Sequence, residues 1–326
     1  MPPRAGELGA GLACALGAGL AWGLVFVAPV MLPGYPAAVL SVGRYAAFGL
    51  IALALAWSAR ESLARLTRAD WAEAARLSLV GNLLYYGCLA AAIQTAGVPL
   101  PTMLIGTLPL VIAVVSNLSE RTLPWARLAP SLAVIAVGIA LVNHAEFERL
   151  REASPDAGPR LLLGTVLALG AVACWTWYPI RNARWMRANP DVSSATWATA
   201  QGLTTLPLAL AGWAGVAVWH AAWPLRAGEG GGTFEFPFGA QPWAFVGLMT
   251  VIGLAASWLG TLLWNRASRL LPTSLVGQLI VFETLSALAY GFMWRGEAPA
   301  AGAAAGIALL VVGVVIGVRT FQRTPG

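Results

Sequence analysis

Glu283 lies at the centre of PTSLVGQLIVFETLSALAYGFMW, residues 272–294, with eleven uncharged residues on either side. A charge at the middle of a membrane helix costs on the order of 2.5–3.5 kcal/mol on insertion scales, so such a carboxylate faces a cavity or a partner. There it can carry a proton or meet a substrate ammonium. On an ideal helix Glu283, Ser286 and Tyr290 share one face. The opposing reading is a neutral acid bonded to a backbone carbonyl freed by a kink in a neighbouring helix. Arg44, in SVGRYAAF, is the opposite charge. It sits about 10 Å inside the outer end of the second apolar segment, at 1.5 Å per residue. Three uses stand open for it: snorkelling to the interface, holding a substrate carboxylate, or pairing with Glu283.

Other residues could complete a site. Asn82 and Tyr86 form an i, i+4 pair, and Gln278 sits one turn before Phe282 and Glu283. Pro109, halfway along GTLPLVIA and its helix, removes a backbone hydrogen bond and predicts a kink. Carbonyls freed there can hold an ammonium, and a half-helix N-terminus can hold a carboxylate. Of the fifteen tryptophans, Trp219, Trp223, Trp243 and Trp294 lie at helix ends and read as interface belt. Trp22, Tyr85, Tyr86 and Trp258 lie near mid-helix, where they either pack the core or line a cavity. Trp175, Trp177 and Tyr178 stand between the two cases. An apolar, aromatic-lined cavity with a few polar groups suits amphiphilic molecules and suits phosphorylated sugars poorly.

These residues need membrane helices to hold them. Of the 326 residues only 10% are charged, and mean hydropathy is +0.72; an ordinary soluble protein has about 25% charged residues. Apolar runs of about 20 residues, each enough to cross a bilayer core, predict ten helices. Their ranges are 8–32, 37–59, 77–97, 99–119, 125–144, 160–180, 193–219, 242–265, 271–294 and 300–319. Nothing alternates as barrel strands do. The first run is longer than the apolar core of a signal peptide, which spans about 7–15 residues, and reads as a retained helix. All twenty basic residues are arginine. With an even number of spans, fourteen arginines fall on the side of the termini and five on the other, with Arg44 inside a helix. The positive-inside rule then puts both termini in the cytoplasm. Topology accounts for the +6 charge without a nucleic-acid partner.

The chain also repeats itself. LPTMLIGTL at 100–108 and LPTSLVGQL at 271–279 agree at six of nine positions, 171 residues apart. GLAWG at 19–23 echoes ACWTW at 173–177, which sets Trp22 against Trp175. Together they predict two copies of a five-helix unit: 1–144, a polar linker 145–159, and 160–326. After five crossings the second copy enters upside down, the arrangement of secondary transporters that rock around a midplane site.

The sequence resembles the drug/metabolite transporter superfamily in its ten-helix form with two EamA-type repeats. The stretches that carry the likeness are GLAWGLVFVAPV, AVACWTWYPI, AAIQTAGVPLPTMLIGTLPLVIAVVSNLSE and LLWNRASRLLPTSLVGQLIVFETLSALAYGFMWRGE. In that superfamily the fourth and ninth helices follow a short turn and end at an acidic residue, here Glu120 and Glu297. The wording VFE resembles the YddG branch, exporters of aromatic and other amino acids. The resemblance implies export of amino acids across the inner membrane with broad specificity. Efflux of organic cations or drugs is the alternative.

Other chemistry is excluded by residue type. Without lysine there is no Walker A loop and no Schiff base. His144 and His220 lie at helix ends, and no HExxH or GxSxG occurs. No enzyme activity, cofactor or metal is expected. A channel would show a charge ring or filter loop. Cys14, Cys88 and Cys174 read as small core residues. The spacings GLAWG, GAAAG at 302–306 and GVVIG at 313–317 permit close helix packing; internal packing in a monomer is the expectation, a dimer through the last helix the alternative.

Overall fold

The computed structural model describes residues 5–26, 31–96, 99–121, 123–153, 158–226, 232–296, 298–299 and 301–322. They form ten helical elements: α1 (Ala5–Gly23, running into a 3-10 turn Leu24–Phe26), α2 (Ala37–Ala64), α3, α4, α5 (Trp125–Ala153), α6 (Gly158–Ala188), α7 (Ser194–Ala222), α8, α9 and α10 (Ala301–Gln322). Four of them are irregular. Helix α3 runs from Arg68–Ser78 through a π-helical stretch, Leu79–Leu84, into Tyr85–Ala96, and α8 from Pro242–Ile252 through Gly253–Leu259 into Gly260–Leu270. Helix α4 is split into Pro99–Ile105 and Leu108–Glu120, and α9 into Thr273–Leu279 and Val281–Arg295. Among the described residues nine stretches are long and apolar enough to cross a membrane. The chain is therefore an all-helical, polytopic membrane protein.

The helix ends depart from expectation where polar turns continue a span beyond the apolar run. Helix α3 starts at Arg68, nine residues before the predicted 77, because Thr67 and Asp70 close a capping box in which each side chain meets the other's backbone N–H. Helices α5 and α6 extend to Ala153 and back to Gly158, so the predicted linker 145–159 is largely helical. Residues 27–30, at the predicted end of the first helix, and Glu297 lie outside the described residues.

Helices pack in a definite set of pairs: α2 on α7, α5 on α10, α3 on α6, α4 on α9, and α1 on both α8 and α9. Glycines make the closest approaches. A Cβ on Gly19 would lie 2.9 Å from the backbone N of Glu283, and one on Gly23 3.0 Å from that of Ala287, so α1 rests on the second half of α9. A Cβ on Gly306 would lie 2.8 Å from the carbonyl O of Gly138, and one on Gly313 2.6 Å from Ile135. The small-residue spacings thus serve packing of α1 on α9 and of α10 on α5. Outside the bundle Leu50, Trp57, Leu162, Val166 and Val218 are exposed, as an apolar solvent allows. Trp219, Trp223, Trp243 and Trp294 are more than half exposed, in keeping with a belt position.

Candidate functional site

The site forms where the irregular helices meet. A π-helical turn inserts a residue and re-aims the side chains after it, and such turns occur frequently at functional sites. Here one π stretch carries Asn82 and delivers Tyr85 and Tyr86, while the other carries Ser257 and Trp258. The glycine at position 81 lets Tyr178 of α6 lie against the first stretch: a Cβ there would meet the Tyr178 ring at 2.3 Å.

One wall is a run of rings. Tyr85 stacks on Trp175 with centroids 4.7 Å apart, and Trp175 stacks on Tyr178 at 5.1 Å. Trp22 meets Trp175 edge-on at 5.8 Å and leans on Trp264 at 5.0 Å. Such pairs contribute about 0.5–1.5 kcal/mol each beyond burial, so the wall is stiff. Tyr45 and Tyr86, edge to face at 6.4 Å, begin a second wall, with Trp258 packed beside them.

Arg44 points inward. Its Nε donates to Ser257 Oγ at 3.0 Å, and its guanidinium carbon lies 5.1 Å from the Tyr45 ring centroid. Snorkelling therefore does not describe it. Arg44 lines a cavity of about 20 Å³ with Ser41, Tyr86, Val25, Met249 and Ile252, room for about one water. Glu283 begins the second half of α9, in the first turn after the break at Ile280. It lies within electrostatic range of Arg44, Tyr45 and Tyr85. Arg44 and Glu283 form no ion pair with each other, and the Glu283 carboxylate has no hydrogen-bond partner among the described residues. Ser286 and Tyr290, expected on the Glu283 face, are occupied elsewhere: Ser286 Oγ donates to the Phe282 carbonyl at 2.7 Å, Tyr290 OH to that of Leu20 at 3.1 Å.

The remaining expected residues separate. Asn82 Nδ2 donates to Thr205 Oγ1 at 3.1 Å and Trp258 Nε1 to Thr199 Oγ1 at 3.1 Å, tying α3 and α8 to α7. Gln278 is fully buried on another side of α9, accepting from Ser131 Oγ at 2.8 Å and packed against Gly317 of α10. The structure does not bring it to the aromatic wall. Helix α4 breaks at Gly106–Thr107, two residues ahead of Pro109, and Pro109 itself sits inside the first turn of the second half. Thr107 N and Oγ1 both donate to the Leu104 carbonyl, at 3.1 and 2.6 Å, so that carbonyl already has donors.

Below the rings, towards the arginine-rich end, lies a buried polar network that sequence reasoning missed. Tyr178 OH donates to Gln201 Oε1 at 2.9 Å. Asn182 Oδ1 accepts from Gln201 Nε2 at 3.2 Å and from Trp197 Nε1 at 2.9 Å, and Asn182 Nδ2 donates to Asn265 Oδ1 at 2.8 Å. Trp264, Tyr45, Asn182, Gln201 and Asn265 belong with the site on this geometry. Tyr45, next to Arg44, was the one with a signal: an aromatic at depth beside a buried charge. Among the described residues no group of three His, Cys, Asp or Glu could hold a metal ion.

No protein-family model matches the chain. A solved crystal structure of another protein shares its fold, with a TM-score of 0.70 and 16% identity over 96% of this chain and 98% of that one. Inner membrane protein YtfF of Escherichia coli (strain K12) is 50% identical over 321 residues, 97% of each chain. An identity of this size over 97% of both chains places the chain in the family of inner membrane protein YtfF.

Proposed function

We propose that the chain is a secondary carrier of the inner membrane, built as two inverted five-helix repeats, that exports small metabolites, above all amino acids with broad specificity, aromatic ones included. The observation that carries the substrate reading is the unpaired couple Arg44 and Glu283. A free amino acid presents a carboxylate and an ammonium joined by one carbon. A cation and an anion that lie within electrostatic range of each other without forming an ion pair match both groups. The ring wall of Trp22, Tyr85, Trp175 and Tyr178 then receives the variable side chain. Apolar walls discriminate weakly, since one methylene is worth about 1–3 kcal/mol, so a broad range follows. Organic cations are served less well, because Arg44 lines the cavity they would enter.

The carrier reading draws on the helix pairing. Under the correspondence of α1–α5 with α6–α10, the pair α3/α6 maps onto α8/α1, and the pairs α2/α7, α4/α9 and α5/α10 map onto themselves. The π turns of α3 and α8 correspond, as do the breaks of α4 and α9. Inverted repeats with broken helices at the midplane belong to secondary transporters. In this reading the superfamily is that of drug/metabolite transporters, both termini are cytoplasmic, and the chain has no enzymatic step, cofactor or nucleic-acid partner. A reporter fused after residue 326 is expected in the cytoplasm and one inserted near Pro155 outside; both on one side would refute the inversion.

The function itself is tested with purified protein in liposomes and a panel of labelled amino acids and organic cations. Saturable uptake of several amino acids, with counterflow, is the expected result. Uptake of cations alone would transfer the site to the cation reading, and unsaturable flux would make the protein a channel.

A further inference from the structure

Helix α6 ends in three arginines at three-residue spacing: Arg181 reaches α3, Arg184 and Arg187 both reach the end of α4, and Arg187 also reaches α9. Arg181 Nε and Nη2 donate to Glu73 Oε1 and Oε2 of α3 at 2.5 and 3.1 Å, a two-point grip that fits a guanidinium to a carboxylate. Arg187 donates to Glu120, the last residue of α4, with contacts of 3.0 and 3.4 Å, and also to Thr273 Oγ1, the first residue of α9. Arg184 Nη2 donates to Ser119 Oγ at 2.8 Å. Between them, Asn182 ties α6 to α7 and α8 through Trp197, Gln201 and Asn265. One helix end thus holds the ends of five neighbours. A path from the ring wall to the arginine-rich face has to part α6 from some of them.

The two halves of each ion pair differ in exposure. The Glu73 side chain is 6% exposed and its Arg181 partner 48%; Glu120 is 15% exposed and Arg187 35%. The carboxylates are inside the seam and the guanidinium groups cover it. Stripping Arg181 or Arg187 from a closed seam would leave its carboxylate with only a longer contact of 3.6 Å, Glu73 to Arg76 and Glu120 to Arg184, which is unfavourable for a charge inside the seam. Parting the helices admits water to the same carboxylate and removes that penalty. The contacts therefore favour two arrangements, fully closed or fully wetted, and disfavour those between.

We propose that Arg181–Glu73 and Arg187–Glu120–Thr273 form the latch that holds the arginine-rich end of the carrier shut, released as a unit when that end opens. The proposal rests on the carrier reading, but its test is independent of any substrate. Ser41 lines the cavity beside Arg44. In a background with Cys14, Cys88 and Cys174 replaced by alanine, Ser41→Cys is labelled with a membrane-impermeant maleimide in inside-out and right-side-out vesicles.

Removing Arg181→Gln or Arg187→Gln is expected to raise labelling from the cytoplasmic side about fivefold or more, the range of ordinary conformational coupling, and to lower it from the other side. The swapped pair Glu73→Arg with Arg181→Glu is expected to restore the parent pattern. Because Glu73 is buried, its single variants test folding as well; Arg187→Gln, at a more exposed site, keeps the latch testable if they fail. Unchanged labelling from both sides in a folded Arg187→Gln protein would overturn the latch, as would equal gains from both sides, which report loosening only. A protein that moves no amino acid but shows the side-specific change would keep the latch and lose the substrate reading.

Discussion

Replacing Arg44 with Gln is expected to lower transport efficiency for amino acids by about 10- to 100-fold, the value of one or two hydrogen bonds to a charged group. The loss should track the carboxylate. Amines that lack it should transport no worse in the variant than in the parent, because Arg44 offers them nothing and opposes their charge. Arg44→Lys should recover only part of the efficiency. Lysine keeps the charge but lacks the planar fork, and it cannot use an Nε to hold Ser257 while presenting its remaining N–H groups to the cavity. Ser257→Ala should therefore act in the same direction as Arg44→Lys and less strongly, through a less well-placed guanidinium. The measurement is initial uptake into liposomes at equal protein, with thermal unfolding in detergent alongside. If Arg44→Gln melted much earlier and its surviving fraction had the parent's KM, Arg44 would be a packing residue.

How far the site could be read in advance depended on the separation of its parts. Trp22 and Tyr85 stood out because rings at mid-helix have no interface to serve, Trp175 through its echo of Trp22 in the repeat, while Tyr178 stood between belt and cavity; the structure stacks all four together. Trp264 escaped notice because it lies near the polar end of its span, where a ring passes for belt. The break in α4 was signalled by Pro109, yet it falls at Gly106–Thr107, and α9 breaks at Ile280, three residues past the matching Gly277, with no proline at all. The repeat carried that information: Gly106 and Gly277 occupy one position of the duplicated motif. The start of α3 was legible too, in Thr67 and Asp70, but hydropathy reads TRADWAEAAR as loop. Glu73 and Arg181 lie 108 residues apart, and no local pattern joins them. The π turns were equally silent, since an extra residue in a helix changes no composition.

Glu283→Gln separates the three roles open to this carboxylate. The substitution keeps the shape and the capacity to hydrogen-bond while removing charge and titration. If Glu283 meets the substrate ammonium, affinity should fall for zwitterions and cations alike at every pH, by about 10-fold or more for one lost charged hydrogen bond. If it carries a proton, the variant should still bind substrate but lose the dependence of flux on pH. If it is a neutral structural group, Gln should transport like the parent while Glu283→Leu loses stability. The geometry favours the first outcome. The carboxylate has no hydrogen-bond or ion-pair partner among the described residues to serve as a structural link, and it lies within electrostatic range of Arg44, which would hold the carboxylate of the same amino acid. A double variant sharpens this. With Arg44→Gln and Glu283→Gln together, the loss should be smaller than the two single losses combined, because one substrate bridges both groups and each grip depends on the other. Strict additivity would mean that the two charges act on separate steps, and the zwitterion reading would fall.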